Sequence, residues 1–273
     1  MAMTSDKPII WGAAAAVVMG VIALFLYAHR DKLGATTTSA PVEQIAPESA
    51  PTVVPSAPAI QHPVPVSSAP GSAPAPVLDQ SDQTFHDALT ALPGAQSLGK
   101  LLVPDNIIRH IVVTVDNMSK KKVAVNQRPI KPTSGQFLTL SNGDQLTIDP
   151  ENYARYQPFI DVVKLVDIDQ TVQLYYHFYP LFQSAFDDLG YQDAYFNDHL
   201  IGLIEHLLET PDVNGPVALT QPNVMYRYAD PALEALSPGQ KTLIRMGPAN
   251  ETLLKARLRE LKTQLLAHQR PHS

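Results

Sequence analysis

Histidines and carboxylates alternate in one predicted helix in a pattern that could do chemistry. His199 and His206 are seven residues apart, and Asp198 and Glu205 directly precede them. Two histidines on one helical face can hold zinc, but helical zinc pairs are usually four residues apart, as in His-Glu-x-x-His. At a spacing of seven both rings fall at the flank of the apolar face, where a structural role explains them. The sequence therefore predicts no metal site and no cofactor.

A second pattern with chemical meaning is Ser119-Lys-Lys-Lys122, which formally satisfies Ser-x-x-Lys. The lysine of such a pair must be near neutral to take the proton of the serine. Three adjacent lysines just past a predicted helix indicate exposure to solvent instead. The sequence also has no nucleophile elbow and no glycine-rich phosphate loop. These observations favour a protein that is not an enzyme, while catalysis by a geometry that sequence cannot reveal stays open.

The composition excludes several further classes of site. The 273 residues carry 20 Lys and Arg against 26 Asp and Glu, and they include no cysteine. Disulfides, thiolate metal sites and cysteine nucleophiles are therefore excluded. The net charge of −6 argues against a nucleic-acid partner.

The N-terminal third of the chain predicts an anchor and a linker. Residues 9–28 contain no charge and no proline, and a helix of that length spans about 30 Å, the thickness of a bilayer core. We expect residues 1–33 to be a single-pass anchor in a bacterial inner membrane, with the folded domain in the periplasm. Small residues recur at a spacing that permits pairing of two such helices into a homodimer: Gly12, Ala16 and Gly20. Ten prolines in residues 34–77 predict a disordered linker.

Residues 78–268 predict one α+β domain, mainly helical with small β-hairpin elements, followed by a disordered tail at 269–273. Asn142-Gly143 between alternating residues predicts a hairpin. Asp167 and Gln170 form a predicted capping box for the longest helix, whose apolar residues cover more than half of its circumference. That helix should therefore lie at the centre of the domain. Two short strands are expected near 217–219 and 224–228.

Several short motifs of this domain resemble the DUF3014 proteins, an uncharacterised family of proteobacterial envelope proteins. The resemblance covers about Leu78 to Leu265 and is carried by Thr114-Val-Asp-Asn117, Arg128-Pro-Ile-Lys-Pro132, Tyr153-Ala-Arg-Tyr156, Tyr179-Pro-Leu-Phe182, Asp188-Leu-Gly-Tyr191, Tyr195-Phe-Asn-Asp198, Glu205-His-Leu-Leu208, Tyr228-Ala-Asp-Pro231, Ser237-Pro-Gly-Gln-Lys241 and Arg245-Met-Gly247. It implies the same anchor, linker and domain, and it implies no activity.

Some polar residues within these motifs are hard to explain by packing alone. Asn197 falls by helical phase among apolar residues, so its amide needs hydrogen-bond partners. If the domain has a binding site, we expect polar groups to converge near Tyr156 and Tyr228. The candidate residues are Arg155, Tyr156, Asn197, Asp198, His206, Tyr228, Asp230, Lys241 and Arg245.

The leading hypothesis from sequence is a membrane-tethered binding or scaffold module for another envelope component, either a protein or a cell-wall polymer. One alternative is a hydrolase that acts on an envelope polymer. The other is a sensor of a small ligand, with the anchor helices paired.

Overall fold

The structure, a computed structural model, describes residues 59–65, 76–120, 127–131 and 135–267. The predicted membrane span, its small-residue positions and most of the predicted linker lie outside these residues. Within the described ranges, no helix combines the length and the apolar character that a membrane crossing requires.

The domain is predominantly helical, as the sequence predicts. In the described part of the chain a 3₁₀ turn at Leu78–Gln80 precedes ten α-helices: α1 (Asp82–Thr90), α2 (Leu98–Leu101), α3 (Ile107–Met118), α4 (Glu151–Ala154), α5 (Gln157–Leu165), α6 (Ile168–Asp187), α7 (Phe196–Leu208), α8 (Pro231–Ala235), α9 (Pro238–Arg245) and α10 (Pro248–Ala267).

One small antiparallel sheet completes the α+β fold. Its strands lie in the order β1 (Thr139–Asn142), β2 (Gln145–Ile148), β3 (Ala218–Thr220) and β4 (Arg227–Tyr228). Asn142 pairs with Gln145, so Gly143 and Asp144 form a two-residue turn, and the φ of Gly143 is 60°. The predicted hairpin is confirmed. The two later strands, predicted as separate short elements, extend the same sheet.

The longest predicted helix, α6, lies at the centre of the main core. The carboxylate of Asp167 accepts the backbone N–H of Gln170 at 3.0 Å, which confirms the N-cap half of the predicted capping box. The side chain of Gln170 donates to Asp167 Oδ2 at 3.3 Å and not through the backbone contact that would complete the box. The helix then continues past Pro180 to Asp187 and packs against α3 and α10. Its buried rings meet those of α1 and α7, with Phe85 edge-on to Phe178 at 5.1 Å between centroids.

The dipeptide Pro104-Asp105 predicts the start of a helix, but α3 starts two residues later, at Ile107. The helix begins at Ile107 because a carboxylate from another helix caps it. Asp82 in α1 accepts the N–H groups of Asn106 at 2.7 Å and Ile107 at 2.8 Å. Asn106 adopts a left-handed backbone conformation with φ of 53°, which turns both N–H groups toward that carboxylate.

The last helix, α10, covers the core with a stripe of fully buried leucines and also buries an ion pair. The side chains of Lys255 and Glu251 are 6% and 4% exposed, and Lys255 Nζ lies 2.7 Å from Glu251 Oε1. The same ammonium donates to Thr210 O and to Asp212 Oδ1, both at 2.6 Å. Burial alone would lower the pKa of Lys255, but its hydrogen bonds to the two carboxylates outweigh burial and raise it. Burial raises the pKa of Glu251.

Part of the predicted linker, residues 59–65, lies against the domain, and we call it the bound segment. These residues form neither helix nor strand, yet they contact the domain at the N-terminal end of α7 through hydrogen bonds. The composition of the linker predicted disorder because it offers few large apolar groups. The bound segment is held by hydrogen bonds to polar side chains of the domain and by packing of Val64 against the main core.

Candidate functional site

The candidate site is the surface of the domain on which the bound segment lies. At its centre Asp198, in the first turn of α7, accepts two consecutive backbone N–H groups of the bound segment. The N–H of Gln61 donates to Oδ2 at 3.0 Å, and that of His62 donates to Oδ1 at 2.7 Å. The same Oδ1 lies 2.9 Å from Nδ1 of His62. The carboxylate of Asp198, about one quarter exposed, thus holds both the main chain and the imidazole of the bound segment.

Asn197 lies beside this carboxylate and binds the carbonyl group of His62, the residue whose N–H Asp198 accepts. Its Nδ2 donates to the carbonyl oxygen of His62 at 2.8 Å, and its Oδ1 accepts from the hydroxyl of Tyr175 at 3.1 Å. The residue is fully buried. The predicted need of Asn197 for hydrogen-bond partners is confirmed, because the tyrosine fixes which end of the amide faces the bound segment.

Three tyrosines complete the site. The hydroxyl of Tyr195 accepts the backbone N–H of Val64 at 2.9 Å. Tyr175 and Tyr179 come from α6, and burial raises the pKa of both hydroxyls well above the usual range, with the hydrogen bond between Tyr179 and Tyr195 as a second cause at Tyr179. Both phenols therefore stay neutral and act as hydrogen-bond partners for α7: the hydroxyl of Tyr179 accepts the N–H of Asn197 at 3.4 Å.

The arrangement can bind a peptide main chain. It offers acceptors at Asp198 and Tyr195 and a donor at Asn197, spaced to meet three N–H groups and one carbonyl of a chain that bends at Gln61 and His62. In the ranges that the structure describes, no group of three histidine, aspartate or glutamate side chains could hold a metal ion.

Three other predicted residues meet around the small sheet. The hydroxyl of Tyr228 donates to the carbonyl oxygen of Lys241 at 2.9 Å, and Arg245 stacks over the Tyr228 ring with its Cζ 5.6 Å from the centroid. Lys241 pairs with Glu234 at 3.0 Å, and that carboxylate also accepts the N–H of Tyr228 at 3.0 Å. Burial raises the pKa of Tyr228 to about 12. These contacts join α8 and α9 to β4.

The remaining predicted residues make local contacts. Asp230 caps α8 by accepting the N–H of Ala232 at 2.8 Å. Nε2 of His206 lies 2.8 Å from the hydroxyl of Ser237, the residue that caps α9. Each of these contacts serves the start of a helix.

Arg155 and Tyr156 lie at the junction between the sheet and the helices. The guanidinium of Arg155 donates to Asn152 Oδ1 and to Gly135 O, both at 3.0 Å, and burial lowers its pKa. Tyr156 is 1% exposed and belongs to the main hydrophobic core, whereas Tyr228 belongs to a second cluster beside the sheet. The structure therefore does not bring the candidate residues together around these two tyrosines. Of the nine, Asn197 and Asp198 contact the bound segment.

Sequence reasoning missed His62 and the three tyrosines of the site. Tyr195 does stand in the motif Tyr195-Phe-Asn-Asp198, directly before the two residues that the sequence identified. Tyr175 and Tyr179 are four residues apart, which places both hydroxyls on one face of α6. A histidine between a polar residue and a proline in the linker carries no comparable signal.

Two further polar groups lie away from the site. Asp116 accepts hydrogen bonds from Lys120 at 2.6 Å and from Tyr191 at 2.9 Å, with His199 Nε2 3.7 Å away. A cavity of about 350 Å³ between α3 and the end of α6 is lined in part by Arg109 and His110. Burial lowers the pKa of both His110 and His199.

Comparison with curated proteins and with solved structures gives no match. A protein-family model, described as a protein of unknown function (DUF3014), matches residues 107–262. The matched range includes all five site residues: Tyr175, Tyr179, Tyr195, Asn197 and Asp198. The bound segment precedes this range and lies outside it. Because the match covers more than half of the 273 residues, the chain belongs to the DUF3014 family.

Proposed function

We propose that the domain is a non-enzymatic binding module that holds a short segment of another protein at the N-terminal end of α7. The observation that carries this proposal is the bound segment itself. Asp198, Asn197 and Tyr195 engage three N–H groups and one carbonyl of its main chain. Recognition through main-chain groups transfers from one sequence to another, because every peptide presents them.

The position of the site relative to the family match supports the same proposal. All five side chains that form the site lie within residues 107–262, whereas the bound segment at 59–65 lies outside that range. The receptor surface thus belongs to the family domain, and its occupant comes from the proline-rich tract before it. We interpret the bound segment as a stand-in for a ligand.

The membrane anchor and linker expected from the sequence indicate where this module would act. Residues 9–28 would anchor the chain in a bacterial inner membrane, with the domain in the periplasm, where its partner would be another envelope component. Of the two partners expected from sequence, a protein fits the site better than a cell-wall polymer. The spacing of the donors and acceptors matches consecutive peptide units.

The proposal is tested with the full chain in which residues 59–65 are replaced by alternating glycine and serine. A fluorescent peptide with the sequence of residues 58–66 should bind this variant in a titration followed by anisotropy. It should bind the parent chain more weakly, because there the bound segment competes for the same site.

Matched substitutions at the start of α7 provide the control. In the glycine–serine variant, Asp198→Asn should weaken peptide binding, whereas Asp193→Asn, which alters an exposed carboxylate that is not among the hydrogen-bond partners of the bound segment, should leave it unchanged. Absence of peptide binding to a variant whose circular dichroism matches that of the parent would refute the proposal.

A further inference from the structure

We infer that the site selects a peptide in which histidine and proline are followed by an aliphatic residue, and that the partner presents such a sequence in place of the chain's own His62-Pro63-Val64. This inference rests on the proposed function and adds to it the chemical class of the ligand. It is drawn from which side chains of the bound segment contact the domain and which do not.

Asp198 recognises the residue at the histidine position. Nδ1 of His62 lies 2.9 Å from a carboxylate oxygen that already accepts the N–H of the same residue, and both side chains are about one quarter exposed. A side-chain hydrogen-bond donor at this position therefore adds to the two backbone N–H groups that the carboxylate already accepts. A carboxylate at this position would face a like charge at hydrogen-bond distance and would be rejected.

The next two positions are read differently. Proline has no N–H, and the next backbone donor after His62 that the site binds is the N–H of Val64, which reaches Tyr195. The domain therefore accepts a proline at position 63, and the ring restricts the free peptide to fewer conformations. The side chain of Val64 is half-buried and packs against the main hydrophobic core. Ile60, in contrast, is 56% exposed, so its side chain contributes little to recognition.

A peptide series measures this selectivity on the glycine–serine variant described above. The parent peptide is compared with four variants that carry His62→Ala, His62→Glu, Val64→Ser or Ile60→Ser. We expect His62→Ala to weaken binding about tenfold, the loss of one hydrogen bond to a charged group. Val64→Ser should weaken binding about fivefold through lost apolar burial. His62→Glu should abolish binding, and Ile60→Ser should leave the Kd unchanged.

The series separates this inference from the proposal on which it rests. Binding of the parent peptide together with equal Kd values for all four variants would overturn the selectivity and leave the binding module standing. Failure of every peptide to bind would overturn both. A loss of affinity for Ile60→Ser as large as that for His62→Ala would also overturn the assignment, because Ile60 is 56% exposed.

Discussion

The buried ion pair of α10 allows a quantitative test of how this domain is held together. Lys255→Met removes the ammonium that binds Thr210 O, Asp212 and Glu251. Glu251 is 3% exposed, so the substitution leaves a carboxylate buried without its cation. Breaking a buried pair from one side costs about 3–5 kcal/mol. We take the lower value, about 3 kcal/mol, because Glu251 can relieve part of the penalty by binding a proton.

The measurement is urea unfolding of the full chain followed by circular dichroism near pH 7.5. In thermal unfolding, the same loss of about 3 kcal/mol in a domain of this size corresponds to a fall in Tm of about 6–12 °C. Lys262→Met is the matched control, because Lys262 lies on the same helix and pairs with Glu205 while 29% exposed. An exposed pair of that kind contributes about 0–1 kcal/mol. Equal losses for the two variants would refute the reasoning.

Two further measurements sharpen this test. Adding Glu251→Met to Lys255→Met removes the isolated carboxylate, so the double variant should regain most of the lost stability. Without its cation, Glu251 has a pKa in the folded state that lies further above its unfolded value near 4.5. The stability that such a group contributes is present below about pH 4.5 and is lost as the pH rises through the folded pKa. The deficit of Lys255→Met should therefore be smaller near pH 4 than near pH 7.5.

Three other outcomes follow from the structure and the sequence. Gly247→Ala should destabilise the chain by about 2 kcal/mol in urea unfolding, because the φ of Gly247 is 85° and a Cβ there would lie 2.6 Å from an aromatic ring in α4. Gly202→Ala, on the exposed side of α7, should instead stabilise the chain by up to about 1 kcal/mol. A loss of stability for both variants would refute the strain argument. Burial depresses the folded pKa of His110 and His199, so their contribution to stability is present above the unfolded value near 6.5 and lost as the pH falls; replacing both with glutamine should flatten the pH dependence of the free energy of unfolding between about pH 7 and pH 5. Deleting residues 9–28 should move the chain from the membrane pellet to the supernatant after cell fractionation, and a full-length chain found in the supernatant would contradict the anchor.

Much of the fold follows from short-range patterns in the sequence. The cap at Asp167, the hairpin turn after Asn142 and the central position of α6 each depend on residues close together in the chain, and each is confirmed. The start of α3 depends instead on Asp82, 25 residues before Ile107. No local rule predicts that contact, so the sequence placed the boundary too early.

The candidate site divides in the same way. Asn197 was identifiable because a polar residue at an apolar helical position must find partners. Its partners were not identifiable: Tyr175 lies 22 residues before it, and His62 lies 135 residues before it in a tract whose composition predicts disorder. Lys241 and Arg245 were selected because they stand in motifs that resemble the family and are hard to explain by packing alone. Their contacts instead support the junction between the sheet and α9.

The contact of the bound segment with α7 also sets the length of chain that links the proposed membrane span to the domain. If the proposed span ends at residue 28, 30 residues separate it from residue 59, where the bound segment begins, and a polyproline chain of 30 residues is about 90 Å long. If the bound segment were displaced, 47 residues would separate the span from residue 76, where the next described residues begin, and a polyproline chain of that length is about 150 Å long. A ligand that took this site would thereby let the domain move farther from the bilayer.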